Sequence, residues 1–293
     1  MVMTMTMASR IRSLQYLSSS SGVRWAAGGW MLFITENLIL SENRTALIEK
    51  LGDANYHNLY GICSTSAVGS IVYAYFYNNS ASVVRKTLPL HAASFAFLSM
   101  GLTMASQILP KLQIPVALDA SKEESVRDSN NLSTVPTPVS AKSSAFQVRC
   151  PFDFANPQTE GELWGTERVT RHAGLWSMAI TGLGQACLAS TLPHRVWWSM
   201  PTLMALIGGW HTDSRFERGM GGTLSEDYKA KTSNIPFAAL IAGKQESGAW
   251  ESLLFKEIKP LNALLATSLA AFWVMRRKGS QTTISKAFAA SFK

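Results

Sequence analysis

Arg168-Val-Thr-Arg-His-Ala-Gly-Leu-Trp-Ser-Met-Ala-Ile-Thr-Gly-Leu-Gly-Gln-Ala-Cys187 runs from a basic, polar lip into an apolar stretch, and no charged residue follows until Arg195. The apolar run continues to Leu192, is turned by Pro193-His-Arg195, and resumes as Val196–Trp210. Trp197, Trp198 and Trp210 stand at the ends of that second run, where an aromatic belt meets the membrane–water interface. Two apolar helices joined by a tight hairpin predict a polytopic membrane protein. Crossing a bilayer takes about 20 mostly apolar residues. Four more runs approach that length: Val23–Leu40, Leu59–Tyr77, Leu88–Leu109 and Leu261–Met275. The expectation is an all-α bundle of six spans.

Composition agrees. Only 16% of the 293 residues are charged, against roughly 25% in an average soluble protein. Mean hydropathy is slightly positive, and nine tryptophans and twelve methionines are many for this length. Cys63, Cys150 and Cys187 are isolated and odd in number, which indicates neither a disulfide framework nor a zinc site.

The net charge of +8 finds its explanation in where the charge lies. Six spans place both termini on one side. That side collects Arg10, Arg12, Arg24, Arg85, Lys86, Arg195, Arg276, Arg277, Lys278, Lys286 and Lys293, and no acid. Apart from Glu36, every acid falls in the opposite loops. Lysine and arginine in short flanks set orientation, so both termini are expected to face the matrix or stroma of an organelle. The basic excess is then orientation chemistry, and no nucleic-acid partner is expected.

Five regions follow. Residues 1–22 form a basic, Ser-rich segment with no acid, read either as a transit peptide or as a basic flank of the first span. Residues 23–109 hold three spans. Residues 110–167, rich in Ser, Asn, Pro and Lys, are expected to form a mobile polar loop. Residues 168–278 hold three more spans, with an interfacial or re-entrant piece at 235–242, opened by Pro236 and closed by Gly243. Residues 279–293 form a basic tail.

Topology sorts the candidate functional residues by depth. His57, His172 and His211 fall at the acidic, loop-bearing face, with Asp213 and Arg215 directly after His211. An ionisable residue inside a span is a functional candidate. Glu36 is such a residue, and Arg171 or His172 is its expected partner. The tight hairpin between the fourth and fifth spans predicts that Arg171, His172, His211 and Asp213 lie together at its open end. The same residues suit a purely structural anchor. No Gly-rich phosphate loop, nucleophile elbow or His-Glu-x-x-His motif is present.

Three stretches carry a resemblance: Asn43–Tyr60 with Ser70-Ile-Val-Tyr73; Arg168–His172; and Gly209–Arg215 with Thr232–Ala239 and Gly243–Gln245. In order and spacing these resemble the NnrU-domain family of membrane proteins, which includes the 15-cis-zeta-carotene isomerases. The resemblance implies a helical membrane bundle. In the isomerases it also implies a haem b held by two histidines, at positions that here are Asn37 and Gln185. A family cysteine falls at Gly182. His172 matches a family histidine outside the haem pair, and the following proline is here Ala173. An amide is a poor haem ligand beside imidazole. The expectation is therefore a haem-free, non-catalytic component of a larger membrane complex in a mitochondrial or plastid inner membrane. A haem-dependent polyene cis-trans isomerase using other ligands is the alternative. Arg-His at the mouth of a span is also distantly similar to isoprenylcysteine carboxyl methyltransferases, although no paired glutamates follow the fifth span.

Overall fold

A computed structural model describes residues 21–76, 87–108, 116–118, 146–148 and 163–290. The N-terminal segment up to residue 20, Arg85 and Lys86, most of residues 110–167 with Cys150, and Lys293 lie outside the described residues. The expected apolar runs are helical in their described residues, except that Ala173–Leu192 breaks at 189–191, so Pro193-His-Arg195 lie in the first turn of the next helix instead of forming the turn themselves. The long helices are α1 (Ser21–Glu42), α3 (Asp53–Phe76), α4 (Leu88–Ile108), α6 (Ala173–Leu188), α7 (Leu192–Glu217) and α11 (Pro260–Ala290). Short helices join them at the loop-bearing end: α2 (Arg44–Leu51), α5 (Thr166–Val169), α8 (Glu226–Lys231), α9 (Ala238–Ile241) and α10 (Ala249–Glu251). The last of these runs into a π-helical turn, Ser252–Glu257.

Two of the connections carry local structure in their described residues. The 110–167 stretch carries structure where it is described: β1 (Val116–Leu118) pairs antiparallel with β2 (Phe146–Val148), and α5 begins at Thr166. Those strands are short runs of Val, Leu and Phe, which suit a ladder better than the surrounding Ser and Asn. The 235–242 piece is a single helical turn, α9, preceded by Phe237 and followed by Gly243 at φ +65°. The bent, re-entrant-like geometry lies further on, where Ala249–Glu257 meets Pro260–Arg276 at 83°.

Contacts between helices fix their directions. Gly29 lies against Ser70, and Tyr60 bonds Asn37 while Tyr56 reaches Leu40, so α1 and α3 are antiparallel. Ser94 donates to the Gly184 carbonyl while Gly174 lies near Ile108, which makes α4 and α6 antiparallel. Gly182 meets Trp198, and His172 meets Asp213, so α6 and α7 form the expected hairpin. Trp30 touches Trp197 while Ser41 reaches His211, so α1 and α7 run parallel. Asn262 donates to Ser106 and Ala270 clusters with Leu98, which sets α11 antiparallel to α4. The six long helices thus alternate in direction along the chain. In space, α3, α1, α7, α6, α4 and α11 succeed one another, each packed on the next.

By length and composition two helices can cross a membrane, Asp53–Phe76 and Leu88–Ile108, and the bent pair ending in Pro260–Arg276 can supply a third. The other three of the six expected spans fall short for identifiable reasons. Arg24, Glu36 and Asn37 interrupt α1. Helix α6 has 16 residues, a rise of about 24 Å against a core of roughly 30 Å. Helix α7 carries His194, Arg195, His211, Asp213, Arg215 and Glu217 toward its ends.

Small residues bring these helices close, as they do in membrane bundles. A Cβ on Gly101 would stand 2.7 Å from the Thr181 amide nitrogen and 3.0 Å from the Ser177 carbonyl oxygen. Both are backbone atoms of α6, which cannot step aside without moving the helix. Gly101→Ala is expected to cost about 1–3 kcal/mol, read as a lower unfolding midpoint in detergent. Gly61→Ala is the control, because nothing lies within 4 Å of its Cβ position. It is expected to leave the midpoint unchanged or raise it, since alanine is the better helix former by about 1 kcal/mol.

Candidate polar site at the loop-bearing end

The expected cluster is present as two groups, one on each side of α7. An α-helix turns about 100° per residue, so His211 and Arg215 share one face while Asp213 points the other way. Asp213 faces α6. Its Oδ1 lies 2.8 Å from His172 Nε2, and its Oδ2 lies 3.5 Å from Arg171 Nε. The three side chains are 14%, 8% and 9% exposed. Arg171 also reaches the Thr232 carbonyl at 3.4 Å.

His211 and Arg215 face α1 instead. Ser41 Oγ lies 3.2 Å from His211 Nε2 and accepts from Arg215 Nη1 at 2.7 Å. Glu42, next in sequence, receives both arms of Arg218 at 2.5 and 2.9 Å and lies 4.0 Å from His211. The hydrogen bond from Arg218 holds the Glu42 carboxyl below the usual carboxylate range. A single site shared by all four residues of the hairpin end is therefore corrected to two, because successive turns of α7 address different neighbours.

Two other assignments are corrected. Glu36 meets neither Arg171 nor His172. Its Oε2 accepts from Asn37 Nδ2 at 2.8 Å, because it sits a turn and a half below the end of α1 while Arg171 and His172 are engaged with Asp213 across α6 and α7. His57 stays on its own helix, 2.9 Å from the Asp53 carbonyl and 3.5 Å from the Asp53 carboxylate.

Asn37 and Gln185 are both buried, at 0% and 2% exposure, but they do not face each other. Helix α7 packs between their helices, and α1 and α6 run in opposite directions. Each residue lies near the C-terminal end of its own helix, so the two occupy opposite ends of the bundle. Asn37 accepts from the Tyr60 hydroxyl at 2.7 Å and donates to the Phe33 carbonyl at 2.8 Å. Gln185 Oε1 is buried without a hydrogen-bond partner among the described residues. At Gly182 a side chain would run into the Trp198 carbonyl and Pro201. Two amides at different depths, separated by a helix, do not fit a haem iron held between them. Among the described residues no group of three or more His, Cys, Asp or Glu side chains could hold a metal ion.

Sequence reasoning missed the polar residues that organise this end. Asn234 enters the α6–α7 seam, accepts from the Trp176 indole at 3.0 Å and donates to the Leu206 carbonyl at 3.1 Å. It fits only because Gly209 has no side chain: a Cβ there would overlap the Asn234 amide. Thr170 Oγ1 donates to the Asn234 carbonyl at 2.5 Å, and the Arg171 amide donates to the Ser233 carbonyl at 3.1 Å. Gln245 donates to the Arg168 and Lys231 carbonyls. Arg168 itself is buried. Its Nε lies 2.7 and 2.9 Å from the two oxygens of Glu257, its Nη1 pairs with Glu246, and Glu257 also accepts from the Gly165 amide at 2.6 Å. The stretches 168–172, 209–215, 232–239 and 243–245 thus meet in one polar knot. The available signal was their charged and amide-rich character beside apolar runs, but spacing alone could not pair them.

Chemically, the knot pairs most of its donors and acceptors with one another, while Arg171 Nε and Nη1 and Gln245 Oε1 are buried without a hydrogen-bond partner among the described residues. Asp213 is shared by an imidazole and a guanidinium, and Glu257 by a guanidinium and a backbone amide. The chain matches no protein-family model, no curated protein and no solved structure.

Proposed function

We propose that the chain is a six-span, NnrU-like protein of a mitochondrial or plastid inner membrane, and that it acts as a haem-free structural or accessory component of a membrane complex. The observation that carries this reading is the set of buried ion pairs and hydrogen bonds in the polar knot. Its buried charges join α6 to α7 and to the 232–257 segment, as a scaffold requires. The outer helix faces support a lipid setting: Leu32, Ile39, Ile62, Phe76, Leu264 and Phe272 are all exposed. Alternating helix directions support six passages, with the helices that fall short completed by neighbours rather than by their own hydropathy.

The test is purification from membranes with haem supplied. The chain is expected to stay in the membrane through alkaline carbonate, to show no stoichiometric Soret band, and to leave detergent extracts with fixed partner subunits. Release by carbonate would sink the membrane reading. A Soret band lost in His172→Ala would replace the scaffold with the isomerase. For topology, single cysteines in a chain free of Cys63, Cys150 and Cys187 decide. Thr87→Cys and Arg276→Cys should label from one side, and Glu49→Cys and Glu226→Cys from the other. Labelling of Thr87→Cys and Arg276→Cys from opposite sides would exclude six passages.

A further inference from the structure

We propose that residues 249–258 form an interfacial anchor, a short helical segment lying in the bilayer plane with phospholipid as its partner. The inference rests on the membrane reading above.

The segment leaves the line of the last long helix by 83°. Its nine helical residues rise about 13 Å, under half of a roughly 30 Å hydrocarbon core, so the bent pair is an in-plane piece followed by α11 and not one broken span. Pro260 opens α11, and Ile258 is extended, which separates the two helices into independent directions. One face of the segment is buried: Ala249, Leu253 and Glu257 point into the protein. The other presents Trp250 (44% exposed), Leu254 (54%) and Phe255 (79%). Such a patch of large apolar side chains in a segment of this length requires a partner.

Charge decides which partner. Lys256 and Lys259 are exposed beside the apolar residues, the arrangement of an amphipathic segment at an anionic lipid surface. The patch is also continuous along the chain with the exposed Leu261, Leu264 and Leu265 of α11, so lipid that covers one reaches the other. Glu251, one turn before Phe255, is exposed at the start of the segment.

The protein holds this segment rigidly. Glu257 is tied to Arg168 and to the Gly165 amide, and Trp250 stacks on Phe237 with ring centroids 5.9 Å apart and planes within 7°. Phe237 adopts φ +62°, a left-handed conformation that a bulky side chain takes only under strain. A strained aromatic that positions a second aromatic is what a fixed anchor needs.

Spin labels on the full, cysteine-free chain in nanodiscs of phosphatidylcholine and phosphatidylglycerol test the proposal. Labels at Leu254→Cys and Phe255→Cys should favour oxygen over a water-soluble nickel chelate, at a shallower depth than a label at Ile62→Cys on α3. A label at Ser247→Cys should favour the chelate. Lys256→Glu with Lys259→Glu should shift the Phe255→Cys label toward the chelate. Chelate access at both Leu254→Cys and Phe255→Cys, with Ile62→Cys still in lipid, would overturn the anchor and leave the membrane reading standing. Exclusion of both reagents would also overturn it, because a protein surface would then cover the patch. Chelate access at Ile62→Cys would remove the membrane reading itself.

Discussion

Arg168→Met is expected to destabilise the protein more than any other single change at the loop-bearing end, by about 3–5 kcal/mol. The Arg168 and Glu257 side chains are 4% and 2% exposed, and both oxygens of the carboxylate face the guanidinium. Removing the arginine leaves a buried carboxylate with the Gly165 amide as its one remaining donor among the described residues. An uncompensated charge in that position costs far more than the pair contributes when intact. Glu257→Gln should cost less, because the amide can still accept from Gly165 and Arg168 keeps Glu246. The Glu246 side chain is 58% exposed, so its own pair contributes little, about 0–1 kcal/mol. The double change Arg168→Met, Glu257→Leu should recover a large part of the single loss, since it removes both charges together. Unfolding in detergent, followed by temperature or denaturant, reads all three variants. Equal midpoints for Arg168→Met and the unaltered protein would show that the pair holds nothing together.

Asp213→Ala should follow, with a loss of about 2–4 kcal/mol, below the fully buried case because the carboxylate is 14% exposed. Arg171 would then keep only its long contact to the Thr232 carbonyl, and His172 would lose the 2.8 Å partner of its ring. The loss falls on the hairpin, since Asp213 lies on α7 and both partners precede α6. Arg218→Ala is the contrast. It removes a fork to Glu42, but both side chains are about half exposed, at 45% and 40%, and such pairs are worth roughly 0–1 kcal/mol. A similar loss in both variants would mean that burial does not set the scale at this end. The same measurement with Arg171→Met, Asp213→Leu closes the cycle and isolates the pair.

Positions of the long helices were legible in the sequence because hydrophobic run length, flanking charge and breakers are local properties. The break between two apolar runs announced the α6–α7 hairpin, although its turn is residues 189–191 and Pro193-His-Arg195 open α7; the hairpin alone brings Arg171 and His172 to the depth of Asp213. Other relations depend on which helices become neighbours. Helix α7 separates α1 from α6, so Asn37 meets Tyr60 while Gln185 lies at the opposite end. Helical phase then sends His211 and Arg215 toward α1 and Asp213 toward α6. Arg168 finds Glu257 across 89 residues, and Asn234 finds the space left by Gly209, through packing that no local spacing encodes. Where apolar helices form, and which residues are costly to bury, are local properties of the chain. Tertiary structure alone decided how those residues pair, because a buried polar group must be satisfied by whatever the packed neighbours bring within reach.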